Sequence, residues 1–324
     1  MAENKFTNML SATKLGDAQV IVLQGFIHQN KDDAANGDPV HKKTSNGKNY
    51  MVVRGTYMGK VAANVWGENI PAADEDGNVS LFVNVMLDDE QTALLDSARA
   101  TGGETIEIFG NALAGKAQDG RLPSLWVANA QVVRLKAKKA DGGATKVEKN
   151  IASVSGKGYN GAVQTMSYIR GTVKSGYNGA APVSEGKTTT GKEYSRFTIE
   201  AMLDQHEHAV AFGAEDGKAG PSRKFVRCTT WGYANDRVRS LGLHAGDTVV
   251  LLGTTSQYVN ERTTTSSDQM NVARIISRFA APAAAAEATP APAPAPAPKA
   301  AAPSVASLPI DDFSVPDDDY DLPF

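Results

Sequence analysis

Phe225-Val226-Arg227-Cys228-Thr229-Thr230-Trp231, followed after a short polar stretch by Gly246-Asp247-Thr248-Val249, decides the fold of this chain. Val226 and Cys228 alternate with Arg227, Thr229 and Trp231, the period of a strand that buries one face and exposes the other. Residues 233–241 between the two runs read as a short helix, and residues 247–258 as the next strand. The same order stands earlier in the chain. Residues 82–110 overlay residues 225–253 without a gap at a constant offset of 143, which puts Gly103-Glu104-Thr105-Ile106 on Gly246-Asp247-Thr248-Val249. Gly47-Lys48-x-Tyr50 falls on Gly191-Lys192-x-Tyr194 at an offset of 144. Two copies of one unit are the economical reading.

Working outward, each copy reads as five strands with a short helix between the third and fourth. In the first copy the strands are residues 20–29, 50–58, 81–87, 104–112 and 125–135, with a helix near 89–99 that Asp88 and Gln91 are placed to cap. In the second they are 166–175, 192–201, 224–231, 247–258 and 270–278. This layout predicts an all-β chain of two five-stranded OB-fold barrels in tandem, whose exposed faces suit single-stranded nucleic acid. The expected boundaries are 1–137 for the first barrel, 138–159 for a linker, 160–279 for the second barrel and 280–324 for a Pro/Ala-rich acidic tail without fixed structure.

The chain has 324 residues, an apolar fraction of 41% and a net charge of −3, enough for two cores. The charge is uneven. Seven acids against Lys299 alone give residues 280–324 a balance of −6, so residues 1–279 balance to +3. Positive charge gathers from residue 138 onward, where an anionic ligand is expected. Cys228 is the one cysteine, which excludes an intrachain disulfide and a thiolate metal cluster. No apolar run reaches the about 20 residues that span a bilayer, and the start, MAENKFTNML, lacks an apolar leader core, so an intracellular protein is expected.

Alternation assigns faces. In the second copy Ile169, Val173, Ser195, Phe197, Ile199, Val226 and Cys228 point inward. The opposite face carries Tyr168, Arg170, Thr172 and Lys174, then Tyr194 and Arg196, then Arg227, Thr229 and Trp231. Rings among cations suit stacked bases and tracked phosphates. Equivalent positions in the first copy are Gln24, Phe26 and His28, then Tyr50, Val52 and Arg54, then Asn84, Met86 and Asp88. Asp88 stands where Trp231 stands and repels phosphate, so the first copy is expected to bind less well, or mainly to shape the assembly, with Lys42, Lys43 and Trp66 compensating in part. The expected contacts to a single nucleic-acid strand are Trp231, Tyr168, Tyr194, Arg170, Lys174, Arg196, Arg227, Tyr50, Arg54 and Phe26.

Other signals point to little chemistry. Ala181-x-x-x-x-Gly186-Lys187-Thr188 lacks the first glycine of a phosphate loop and precedes a strand, so a lysine-bearing hairpin loop is expected. His206-x-His208 lies in a polar stretch and reads as a surface loop rather than a metal site. No nucleophile and base can be placed in one pocket. Neither a cofactor, a metal nor a catalytic residue is expected.

The chain ends in Asp317-Asp318-Asp319-Tyr320-Asp321-Leu322-Pro323-Phe324. The acids alone would suit a solvated tail. A terminal ring on a flexible arm suits a pocket with a slot for the ring and cations for the acids. Together, the third-strand run ending in Trp231, the polar helix before Gly246-Asp247, the Pro/Ala tether and the acidic end closing on Pro323-Phe324 make residues 160–324 resemble the bacterial-type single-stranded DNA-binding proteins (SSB), in the variant with two OB-folds per chain. Residues 15–137 join mainly through the repeat. The resemblance implies four barrels per particle, hence a homodimer, acting in DNA replication, recombination and repair in the cytoplasm at the nucleoid. It implies stacking on Trp231 and capture of replication and repair proteins by Asp317, Asp318, Asp319, Asp321, Leu322, Pro323 and Phe324. Asp88 and the Tyr320-Asp321 interruption depart from the pattern. Two other readings stand beside it: an adaptor whose barrels bind protein or structured RNA, and a nucleotide-dependent enzyme using Gly186-Lys187-Thr188.

Overall fold

The computed structural model describes residues 7–67, 70–115, 124–136, 145–214, 220–260, 262 and 265–281. Its strands are β1 (Leu10–Leu15), β2 (Ala18–His28), β3 (His41–Lys43), β4 (Asn49–Met58), β5 (Asn78–Leu87), β6 (Thr105–Ala114), β7 (Leu125–Lys136) and β8 (Thr145–Glu148), followed by β9 (Ile151–Lys157), β10 (Val163–Val173), β11 (Val183–Lys187), β12 (Glu193–Asp204), β13 (Pro221–Trp231), β14 (Thr248–Asn260) and β15 (Thr265–Phe279). Five helices join them: α1 (Lys31–Ala35), α2 (Gly59–Trp66), α3 (Asp89–Ser97), α4 (Gln205–Phe212) and α5 (Gly232–Leu241).

Pairing closes two barrels. In the first, β2, β4, β5, β7 and β6 form a ring that shuts where β2 meets β4 at Phe26, Ile27 and His28. In the second, β10, β12, β13, β15 and β14 form the matching ring, which shuts at Thr172 and Val173. The third and fifth strands run parallel in both, β5 beside β7 and β13 beside β15, and all other ring neighbours are antiparallel. With α3 and α5 between the third and fourth strands, both rings have the OB-fold connectivity expected from the repeat. Closure needs bare backbone. A β-carbon on Gly25 would lie 2.7 Å from the Arg54 carbonyl, and one on Gly171 2.8 Å from the Glu200 carbonyl, so strand one can turn from one neighbour to the other only at glycine.

Period-two burial fills the barrels. Val79, Leu81, Val83, Val85 and Leu87 of β5 point into the first core, alternating with outward Ser80, Phe82, Asn84 and Met86. The inward set read from the second copy is buried throughout, from Ile169 to Cys228. Asp88 caps α3 by accepting from the Gln91 amide at 2.7 Å. Gly103 and Gly246, matched across the repeat, carry the turn into strand four at φ 83° and 90°.

Three expectations are corrected. The stretch 138–159 is not a free linker where it is described: β8 pairs with β7 of the first barrel and β9 with β10 of the second. Helices α1, α2 and α4 are additional to the two expected, because runs of 5, 8 and 8 residues are too short to show a helical period. The region of His206 and His208 is therefore helical rather than a surface loop, and His208 is buried with Nε2 2.7 Å from an Asp268 carboxylate oxygen. Lys187 lies in the β11–β12 hairpin and pairs with Glu193 at 2.9 Å, the hairpin reading of that motif.

A third apolar cluster joins the barrels. Leu15, Val20, Val22, Phe109 and Val133 of the first pack against Ala152, Val154, Met166, Tyr168, Val250 and Leu252 of the second. No helix among the described residues is long and apolar enough to cross a membrane.

Candidate nucleic-acid interface

The outward face of the second barrel is built across β12 and β13. Register places Tyr194 beside Trp231, Arg196 beside Thr229, Thr198 beside Arg227 and Glu200 beside Phe225. Neighbours in register share a face, so these side chains stand together over solvent while Ser195, Phe197 and Ile199 fill the core. The Tyr194 and Trp231 rings lie 5.2 Å apart with a 56° tilt, and the Arg196 guanidinium sits 4.6 Å from the Tyr194 ring centre. Arg227 is exposed and enters no ion pair among the described residues. Further along, Arg223 lies 5.5 Å from the ring of Phe225, which is 51% exposed. Glu200 accepts from Arg223 at 2.6 Å and from Lys174 at 2.8 Å, and these two cations hold its carboxyl down at about 2. The face therefore offers rings for bases and an excess of cations for phosphates, with one carboxylate restraining two of those cations.

Four of the residues expected here, Trp231, Tyr194, Arg196 and Arg227, come together, and Lys174 stands at their margin on Glu200. Tyr168 and Arg170 do not. Tyr168 is 3% exposed in the seam between the barrels, hydrogen-bonded to Glu107, and burial followed by that carboxylate pushes its phenol pKa up. Burial likewise raises the Glu107 carboxyl, opposed by Arg134. Arg170 is half-buried, paired with Glu148, its guanidinium 5.9 Å from the Phe279 ring. The outer side of strand one is covered by the other barrel, which alternation alone does not reveal.

The first barrel presents Phe26, Arg54 and Phe82 in one row and His28, Val52, Asn84 and Trp126 in the next, with Tyr50 beside Met86. Tyr50 and Trp126 meet at 5.7 Å with a 53° tilt, and His28 stands edge-on to Phe82 at 5.1 Å. Phe82 is 56% exposed. Tyr50, Arg54 and Phe26 thus lie on one face as expected, while Trp126 and Phe82 are additions. Both carry a readable signal. Trp126 lies between the inward Leu125 and Val127, and Phe82 between Leu81 and Val83. Asp88 is occupied in capping α3 at the rim. Trp66 is 3% exposed within the first core, away from the outward face, whereas Lys42 stands beside Tyr50 in register and pairs with Asp33 at 2.5 Å. Residues 317–324, the expected capture site for other proteins, lie outside the described residues.

No protein family and no curated protein matches the chain. Among solved structures, it is similar to the wild-type single-stranded DNA binding protein from Thermus aquaticus, at 13% identity over 86% of this chain and 100% of that one, with a TM-score of 0.23. A deletion mutant of that protein gives 12% identity over 84% and 99%, with a TM-score of 0.23. The small single-stranded DNA-binding protein from Streptomyces coelicolor gives 17% identity over 35% of this chain and 92% of that one, with a TM-score of 0.24.

Proposed function

We propose that this protein binds single-stranded DNA without regard to base sequence, on the outward faces of its barrels. The observation that carries the reading is the Tyr194–Trp231 ring pair flanked by Arg196, with exposed Arg227 on the same face. Every base has a face to stack, so rings bind at roughly 1–3 kcal/mol per base without reading sequence, and the guanidinium groups follow the backbone. A duplex hides those base faces.

In this reading the protein is a non-catalytic component of DNA replication, recombination and repair, working in the cytoplasm at the nucleoid as a homodimer with four barrels. Its acidic end recruits processing proteins through Pro323 and Phe324. The dimer and the recruitment are supported by the sequence resemblance, and the binding chemistry by the second barrel's face.

Tryptophan emission titrated with oligo-dT and with duplex DNA at several salt concentrations tests the reading. Quenching by the single strand alone is expected, with affinity falling steeply as salt rises and dropping in Trp231→Ala and Arg227→Ala. Equal affinity for the duplex, or a preference for RNA, sinks it in favour of an adaptor. Deleting residues 317–324 is expected to keep or modestly strengthen DNA binding, because those acids compete for the same cations, and to abolish capture of other proteins.

A further inference from the structure

The two barrels present the same ring pair on different strands and with different charge. Tyr50 and Tyr194 match across the repeat. Tyr194 meets a tryptophan from the third strand, Trp231; Tyr50 meets one from the fifth, Trp126. Asn84 and Arg227 match at the offset of 143, and Trp126 stands beside Asn84 where Gln269 stands beside Arg227. The tryptophan has therefore moved one strand over while staying on the outward face and against the equivalent tyrosine. Around it the cations are fewer. The second face holds Lys174, Arg196, Arg223 and Arg227 against Glu200, whereas the rows through Phe26, His28 and Tyr50 hold Arg54, exposed between the rings of Phe26 and Phe82 in the register, and Lys42, which stands beside Tyr50 and is paired with Asp33.

Resting on the reading above, we propose that the first barrel is a second single-strand site of different chemistry, which holds bases by stacking on Trp126, Tyr50 and Phe82 with Arg54 meeting one phosphate, while the second barrel adds several phosphate contacts to its stacked rings. Ring surface this exposed favours a flat aromatic ligand, and one arginine among the rings matches one backbone charge for each group of stacked bases. Counterion release scales with the phosphates neutralised, so the two sites separate by salt dependence: each phosphate contact adds about 0.7 to the slope of log affinity against log salt for a single strand, and stacking adds little.

The chain has three tryptophans, and Trp66 is buried, so Trp231→Phe leaves Trp126 and Trp126→Phe leaves Trp231 as the accessible reporter in the full chain. Oligo-dT is expected to quench both. An abasic oligonucleotide of the same length, with phosphates and no bases, is expected to leave Trp126 emission unchanged. Trp126→Ala is expected to weaken oligo-dT binding about tenfold with no change of salt slope, and Arg227→Ala to lower the slope by about 0.7. An unaltered melting temperature in Trp126→Phe, which keeps a ring in place, confirms that the reporter is folded. Quenching of Trp231 without quenching of Trp126, or a Trp126→Ala variant that binds like the parent, overturns this proposal and leaves the single-strand function standing. An equal response of Trp126 to abasic and normal strands overturns its chemistry. If neither tryptophan responds to oligo-dT, the single-strand function itself fails.

Discussion

Phe109 of the first barrel and Tyr168 of the second face each other across the seam, ring centres 6.4 Å apart and tilted by 52°. Tyr168 extends this apolar contact into a polar one by hydrogen-bonding Glu107, two residues before Phe109. The side chain that alternation assigns to a DNA face is thus a rivet between barrels. Tyr168→Phe is expected to cost about 1–3 kcal/mol by leaving a buried carboxyl short of a partner, and Tyr168→Ala about 3–5 kcal/mol by opening a cavity. Urea unfolding measures both. Oligo-dT affinity in Tyr168→Phe should equal that of the parent; a loss comparable to Trp231→Ala would return Tyr168 to the binding face.

Glu200 holds two cations that the strand needs. Arg223 and Lys174 both bind its carboxylate, and both are freed in Glu200→Gln. Single-strand affinity at low salt is expected to rise several-fold, with the salt slope steepening by about 0.7 for each cation that takes a phosphate. A fluorescence titration in which Glu200→Gln binds more weakly would show that the carboxylate positions those cations rather than restraining them.

Acid stability should carry the mark of the same carboxylate and of Glu193. Arg239 and Lys187 hold Glu193 at about 2, and Arg223 and Lys174 hold Glu200 at about 2, against 4.5 for an ordinary glutamate. A group depressed in the folded state stabilises it above the unfolded value and loses that contribution as pH falls through the folded one. The window therefore runs from pH 4.5 down to 2. Melting temperatures across it should fall less in Glu193→Gln/Glu200→Gln than in the parent. Because both carboxylates are partly open to solvent, the difference should shrink in high salt.

Cys228 points into the second core, and burial pushes its thiol pKa far up. A thiol reagent at pH 8 is expected to label the folded protein only at the rate of opening, and the urea-unfolded chain at once. Fast labelling of the native protein would contradict the inward assignment of Val226 and Cys228 on which the face of Arg227 and Trp231 depends.

The sequence by itself determined what is local or repeated. Alternation around Val226 and Cys228, and the matched glycines and strand order at a constant offset, are enough to specify two OB barrels, the inward residues and the grouping of Tyr194, Arg196, Arg227 and Trp231, because strand period and register act over neighbouring residues. Asp88 also declared its helix cap by its spacing from Gln91. Only the tertiary structure decided which outward faces meet water. Val20, Val22, Met166 and Tyr168 are outward in their own barrels and buried by the other one, and no periodicity within a strand encodes what lies across a seam. The Tyr50–Trp126 pair likewise depends on a parallel pairing of β5 with β7 across some 40 residues of chain, a contact set by barrel closure rather than by spacing.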